Sequence, residues 1–311
     1  MIDRLEKQLN TRAGSTRREV LKRLGIGAAG LAGLNLLTGR AQAATAANTS
    51  PEQDIAVLKF ALNLEYLEAQ YYLYATTGRG LPAQGVSIDG SGTKGFVTIK
   101  DNPKVDFQTA AIGQFAREIA SDELRHVKFV RAAIRAGGVE PIAQPKIDLL
   151  NSFNTLAQAA GIGPSFDPFA NEVNFLLGAF IFEDVGVTAF KGAAPLLDSK
   201  VILEAAAGIL AVEAYHAGEI RTSLFALDNR DRAAGIAGIV QKISDLRDML
   251  DGEGDKDQGI RNPKGNANIV PTDGNGLAFS RSTREVLNIV YGAVGASSGL
   301  FFPDGLNGPI K

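Results

Sequence analysis

The chain has 311 residues, 45% of them apolar, which is enough for one large folded domain or two small ones. Its 32 basic and 34 acidic residues nearly balance, so overall charge would not hold it to nucleic acid or to an anionic membrane. The absence of cysteine excludes disulfide frameworks, thiolate metal sites and cysteine nucleophiles, so any metal must be bound through nitrogen and oxygen.

Residues 1–43 have the layout of an export signal. Paired arginines, Arg17 and Arg18, precede an apolar stretch over 24–37, and a small-residue cleavage site follows at Ala41–Ala43. The pattern resembles a bacterial twin-arginine signal. Because the apolar stretch is short and rich in Gly and Ala, it does not predict a permanent membrane anchor. We expect a periplasmic or otherwise extracytoplasmic protein, with no stable membrane insertion after the signal is cleaved.

Residues 44–228 contain four segments with helical periodicity, at about 51–77, 106–136, 167–194 and 198–228. A Gly-rich insert, 78–104, separates the first two, and its residues 95–100 favour a short strand. The last two are joined by a few residues and must be antiparallel neighbours. The long connection at 137–166 therefore predicts an all-α, four-helix bundle with one long crossover.

Residues 229–311 form a C-terminal extension whose composition and helical periodicity differ from those of the four segments before it. We expect a helix over 230–250, a polar Gly-rich stretch over 251–276, a short helix over 283–294 and an aromatic tail near Phe301. We interpret this region as packed on the bundle. Contact with another subunit, in a homo-oligomer, is the alternative that the sequence leaves open.

Each of the four helices carries one glutamate in the place of a core residue. For each of these glutamates, the residues three, four and seven positions before and after it are almost all apolar or small. The four are Glu65, Glu123, Glu183 and Glu213. The two histidines of the chain, His126 and His216, each follow one of these glutamates by three residues, a spacing that puts both side chains on one helix face.

These buried acids need positive charge nearby. An isolated carboxylate in an apolar core costs several kcal/mol even after relaxation, on the order of what a whole domain can spare. No Lys or Arg occupies the same stripes. Two divalent ions would neutralise four carboxylates, so the sequence predicts two bound metal ions held by the four glutamates and two histidines.

The resemblance to a known family follows from three segments: residues 60–69, residues 182–190 and the tail at 301–308. They identify the chain as similar to the ferritin-like superfamily, and within it to the exported group related to desiccation-associated proteins. The resemblance implies a dinuclear carboxylate site whose ligand pattern maps onto Glu65, Glu123, His126, Glu183, Glu213 and His216.

The sequence leaves open the roles of three further side chains near this set. Glu68 lies one turn from Glu65 and is an alternative ligand, but Glu65 is preferred because it precedes Tyr72 by the same seven residues that separate Glu183 from Phe190. Tyr72 and Tyr215 could each donate a hydrogen bond to the site. For both we favour a packing role.

Three functions fit the pattern. The first is a redox protein of the cell envelope, with iron or manganese as the cofactor and dioxygen or peroxide as the substrate; zinc also accepts such ligands. The second is a non-enzymatic protein that protects during drying or other stress and keeps a structural metal pair. The third, iron storage in a hollow shell, is disfavoured by the long insert and the extension.

Overall fold

The computed structural model describes residues 50–311, so the export signal lies outside the described residues. The described chain folds as an all-α protein, which confirms the fold class. Four long helices build the bundle: α1 (Pro51–Thr77), α2 (Ala110–Ala136), α4 (Glu172–Ala193) and α5 (Lys200–Arg230). Shorter helices surround it: α3 (Asn151–Ala159), α6 (Ile236–Asp251) and α7 (Thr283–Tyr291). Two-residue strands, β1 (Val97–Thr98) and β2 (Ile147–Asp148), pair in parallel.

The bundle consists of two helix pairs. α1 packs mainly on α2, and α4 packs mainly on α5, while contacts between the pairs are fewer. Side-chain caps set several helix starts: the Ser50 hydroxyl accepts the N–H of Gln53, and the Asn171 side chain accepts the N–H of Asn174. The crossover between the pairs runs from the end of α2 to Asn171 and carries β2 and α3.

Two bundle helices begin later than the periodicity predicts. α2 begins at Ala110 rather than at 106, because the backbone N–H and the hydroxyl of Thr109 both donate to the Glu172 carboxylate, at 2.8 and 2.7 Å. α4 begins at Glu172 rather than at 167, because the Asp167 carboxylate accepts the N–H of Phe169 and forms a turn. Side-chain contacts outside the periodic pattern thus fix where each of the two helices starts.

Helix α3 was not predicted from the sequence. Its start is capped by the Asp148 carboxylate, which accepts the N–H groups of Leu150 and Asn151 at 2.8 and 2.7 Å. On its buried side, Phe153 packs against Phe182 of α4 and Phe301 of the tail. The crossover is therefore part of the core rather than a surface loop.

The extension packs on the α4 side of the bundle in the described chain. The Phe301 and Phe182 rings meet edge to face with centroids 4.9 Å apart. The predicted helix over 230–250 is interrupted at Gly235, which has a positive φ of 67° and precedes α6. The predicted helix over 283–294 ends earlier, at Tyr291, where Gly292 caps it with a φ of 73°.

A chain of buried ion pairs also joins the extension to the bundle. Arg221 and Arg247 both bind Asp184 of α4, at 2.7 and 3.1 Å. Asp257 of the extension pairs with Arg247 and with Arg281. Because every one of these side chains is buried, removing one partner leaves a charge without compensation.

Two segments of the described chain, Glu172–Leu196 and Lys200–Arg230, are long and apolar enough to cross a membrane by length and composition. In the first, 83% of the apolar window is buried within the protein, and in the second 44%. Because a core helix meets the same criteria, these segments are weak evidence for a membrane span.

The ion-pair chain predicts a large effect for Arg281→Met. The substitution keeps the bulk of the side chain but leaves Asp251 without its partner and Asp257 with Arg247 alone, so we expect the free energy of unfolding to fall by about 3–5 kcal/mol. Urea denaturation measures it. Arg284→Met on the exposed side of the same segment is the control, with an expected loss of about 1 kcal/mol or less. Equal losses for the two variants would contradict this account.

Candidate metal centre

The structure brings together all six side chains that the sequence singles out. The Nδ1 atom of His126 lies 3.3 Å from Glu65 Oε2, 3.5 Å from Glu123 Oε1 and 3.5 Å from Glu213 Oε1. The Nδ1 atom of His216 lies 3.2 Å from Glu123 Oε1 and 3.5 Å from Glu183 Oε2. The two imidazole rings are 6.2 Å apart.

Potential ligand atoms fall into two groups that meet at Glu213. In each group the atoms lie within 4.8 Å of one another; one comprises Glu65, Glu123, His126 and Glu213, and the other Glu183, Glu213 and His216. Glu123 Oε1 also approaches both histidines, at 3.5 and 3.2 Å. Glu123 and Glu213 therefore lie between the two halves of the cluster, each at the start of a Glu-x-x-His unit.

The cluster has an unusual number of unsatisfied polar atoms. Among residues 50–311, no hydrogen-bond partner exists for either carboxylate oxygen of Glu65, Glu123 and Glu213, for Oε2 of Glu183, or for Nδ1 of either histidine. Buried polar atoms are normally paired, since each unpaired one costs about 1–3 kcal/mol. Converging carboxylate and imidazole atoms without partners are the donor set that hard and borderline divalent ions take. The residues present therefore fit a metal pair.

The electrostatics show how the metal-free protein tolerates these acids. Burial raises the pKa of Glu123, but the adjacent His126 and His216 outweigh it and lower the pKa to about 2. Burial lowers the pKa of His216, yet Glu183 and Glu123 raise it to about 12. The pKa of His126 is raised in the same way by Glu65 and its neighbours. Without metal, the imidazolium ions supply the positive charge.

Protons neutralise the remaining acids. Burial raises the pKa of Glu65 to about 7, and it raises the pKa of Glu213 well above the ordinary value, with the charge of Glu123 acting in the same direction. In the metal-free protein, the raised pKa values of the histidines and of these glutamates favour bound protons, which offset the buried charge.

Glu68 is a fifth buried glutamate at the site. It is 4% exposed, and burial followed by the charges of Glu213 and Glu123 raises its pKa well above the ordinary value. It does not belong to either group of converging ligand atoms among the described residues. The position three residues after Glu183, which corresponds to Glu68 in the other helix pair, is Gly186.

Gly186 creates the space for these acids. A Cβ atom at this position would lie 2.3 Å from Glu213 Oε2 and 3.3 Å from Glu68 Oε1. Any other residue would displace the Glu213 carboxylate. From the sequence, Gly186 stands out only as a small neighbour of Glu183. Its position does carry a further signal, because it corresponds to Glu68 in the other helix pair.

The two tyrosines behave differently from each other. The Tyr72 hydroxyl is buried and donates a hydrogen bond to Glu183 Oε1, so it does more than fill space. Tyr215 is 76% exposed and neither packs in the core nor reaches the site. The preferred packing role is thus incomplete for Tyr72 and wrong for Tyr215.

Asp122 is a site residue that the sequence argument missed. Its Oδ2 atom lies 3.6 Å from Nε2 of His216, the imidazole nitrogen that faces away from the cluster and has no hydrogen-bond partner among the described residues. A carboxylate beside that nitrogen favours a proton on Nε2 and leaves Nδ1 free for a metal. Its position directly before Glu123 on α2 was the available signal.

Known proteins resemble this chain over most of its length. The family model for the ferritin-like domain matches residues 53–226. The desiccation-related protein PCC13-62 of Craterostigma plantagineum is 32% identical over 272 residues, which cover 81% of this chain and 82% of that protein. The ferritin-like catalase Nec2 of Nesocodon mauritianus is 28% identical over 276 residues, covering 85% and 86%. No solved structure matches the chain.

Proton release provides a test of the charge balance. The raised pKa values of both histidines and of Glu213 favour protons on these groups in the metal-free site, and a metal ion binds only after these protons leave. We expect Mn²⁺ binding to release protons and its affinity to rise with pH through the neutral range. Calorimetry in buffers of different ionisation enthalpy measures the release. A binding enthalpy independent of the buffer would contradict it.

Asp122→Asn tests the role of the second imidazole nitrogen of His216. We expect the affinity for Mn²⁺ to fall by about 10–100-fold, the usual cost of losing the carboxylate behind a ligating histidine. Glu118→Gln removes the same charge from the same helix without contacting His216 and is the control. Equal losses in both variants would indicate a general charge effect rather than orientation of His216.

Proposed function

The chain belongs to the ferritin-like domain family, and on that basis we propose that its buried cluster binds two metal ions and that the loaded protein reduces peroxide or dioxygen. The observation that carries the proposal is the set of buried carboxylate and imidazole atoms without partners. Iron and manganese are the ions that this donor set and redox chemistry favour together. Zinc fits the ligands but supplies no electrons.

We assign the ligands by their grouping. Glu65 and His126 would hold one ion, Glu183 and His216 would hold the other, and Glu123 and Glu213 lie where they can serve both. Four ionised carboxylates then balance two divalent charges. Glu68 stays outside this balance if it keeps its proton, in line with its raised pKa.

When bound, the two ions would supply the electrons. Reducing dioxygen to hydrogen peroxide takes two electrons and two protons, and reducing hydrogen peroxide to two waters takes two more of each. The residues of the chain do the rest: the Tyr72 hydroxyl fixes Glu183, the Glu68 carboxyl has a raised pKa that suits a nearby proton source, and the aliphatic walls exclude bulk water. The name of the catalase relative supports peroxide as the first substrate to test.

Non-enzymatic protection during drying is the second candidate function. It is favoured by the name of the desiccation-related relative and by the buried ion pairs, which make the extension integral to the fold. In that case the metal pair is structural. A protein that binds two ions, reacts with neither oxidant, and preserves a test enzyme through drying would favour this candidate.

We further propose that the protein works outside the cytoplasm after export by the twin-arginine pathway. The paired arginines and the cleavage site at 41–43 support this location. The near balance of charge supports a protein that acts without nucleic acid, and the short apolar stretch at 24–37 supports one without stable membrane insertion after the signal is cleaved. A homo-oligomer remains compatible with the exposed apolar residues of α5, such as Tyr215.

Glu183→Gln tests the redox proposal. The amide keeps the shape of the side chain but cannot supply the charge, so we expect fewer than two metals per chain and peroxide consumption reduced about 100-fold or more, since a bound ion provides several kcal/mol of stabilisation. Metal analysis and the ultraviolet absorbance of hydrogen peroxide provide the readouts. Glu140→Gln, at an exposed position, should match the wild type. Full activity of Glu183→Gln would refute the proposal.

A further inference from the structure

An apolar cavity of about 30 Å³ lies where α3, α4 and the extension meet. Its outer rim is formed by Leu156, Ala160 and Ile162, which are partly exposed. Of the described residues that line it, Arg247 alone is polar, and its guanidinium group is already bound by Asp184 and Asp257. The space offers almost nothing to which water could bond. We call it the outer cavity.

A second cavity of about 20 Å³ lies deeper, between α1, α4 and α7. It shares three wall residues with the outer cavity: Ile181, Ile289 and Phe301. These side chains form the partition between the two spaces. Apart from Glu68 and Gly186, the described residues that line this inner cavity are apolar side chains.

The inner cavity ends at the metal centre. Gly186 forms part of its wall, and a Cβ atom there would lie 2.3 Å from Glu213 Oε2 and 3.3 Å from Glu68 Oε1. Gly186 and Glu68 therefore both line the cavity and lie next to the Glu213 carboxylate. The absence of a side chain at 186, which makes room for the acids, also brings the apolar space up to the cluster.

The opposite side of the centre is polar. There the His126 side chain is 10% exposed, and Asp122, 27% exposed, lies next to His216 along the seam between α2 and α5. Glu219 faces the same seam, since the charges of His216 and Asp122 both contribute to the pKa of its carboxyl. This side suits cations, water, protons and hydrogen peroxide, all of which carry charge or hydrogen bonds.

We propose that the outer and inner cavities form the route by which dioxygen moves between solvent and the metal centre. The proposal rests on the proposed function, in which dioxygen is consumed. Dry apolar cavities bind small apolar molecules such as xenon, and about 10–15 Å³ is enough for a molecule the size of water. Dioxygen is apolar and of similar size. Thermal motion of Ile289 and its neighbours opens the partition.

The route also gives the extension a role. Ile289 belongs to α7, Phe301 to the tail and Ile243 to α6, so three parts of the extension build its walls. The ion pair of Arg247 with Asp184 and the hydrogen bond that Arg281 donates to the Thr188 hydroxyl hold these parts against α4. A bundle without the extension would expose Gly186 and Glu68 on this side.

Xenon-pressurised crystals of the full, metal-loaded chain test the route without turnover. We expect xenon in both cavities of the wild type. Ile289→Phe fills the partition, so xenon should be lost from the inner cavity. In solution, the same variant loaded with Fe²⁺ should be oxidised by dioxygen about tenfold more slowly, while its oxidation by hydrogen peroxide stays within about twofold of the wild type.

Two further variants keep the result interpretable. Leu287→Phe makes a similar change at a buried position of α7 that lines neither cavity in the described chain, and its oxidation rates should match the wild type. Ile289→Ala widens the partition, so xenon occupancy should rise and dioxygen should react at least as fast. Metal content is measured for every variant, because a lost ion slows both oxidants.

The outcomes separate the route from the function. Xenon missing from both cavities, or Ile289→Phe slowing both oxidants equally, overturns the route while the redox function stands. If the wild-type protein with Fe²⁺ bound reacts with neither oxidant, the redox function itself fails, and the route fails with it.

Discussion

The structure depends on compensating the charge of glutamates that lie inside an aliphatic core. Glu65, Glu123, Glu183 and Glu213 are each at most 1% exposed, and a carboxylate at such depth is stable only beside positive charge or with a proton. In the metal-free protein the raised pKa values of both histidines and of Glu65 and Glu213 favour both means. Two metal ions would replace these protons at the same atoms, so the one cluster can exist in a protonated and a metal-bound state.

The surrounding fold is arranged so that this cluster keeps its geometry. Tyr72 fixes Glu183 from α1, Asp122 stands behind His216, and Gly186 leaves the gap that Glu213 needs. Beyond them, Asp184 neighbours Glu183 in the chain and anchors Arg221 and Arg247. The extension is thus coupled, through buried charges, to the residue next to a candidate ligand. The two faces of the centre also differ in polarity. The face between α2 and α5 is lined by acids and histidine, whereas the face towards the extension is lined by aliphatic and aromatic side chains.

Periodicity reveals what lies on one helix, and it predicted the bundle helices and the six clustered side chains. Glu183 stands out because every neighbour on its stripe is apolar or small. Contacts between distant segments leave no such pattern. Arg247 reaches Asp184 across 63 positions, and Thr109 meets Glu172 across 63, so neither the ion-pair chain nor the true helix starts were predictable. The sequence indicates only the neighbours of Glu68 on α1. The burial of its side chain depends on Gly186 of α4 and on the extension, which are distant in the sequence.

Anomalous X-ray scattering at the iron and manganese absorption edges, from crystals of the protein purified from its own host, tests the central claim most directly. The account predicts two peaks about 3.5–4 Å apart, between the carboxylates of Glu123 and Glu213 and beside the Nδ1 atoms of the two histidines. A map with no peak among these six side chains, or with metal only at surface carboxylates, would contradict it.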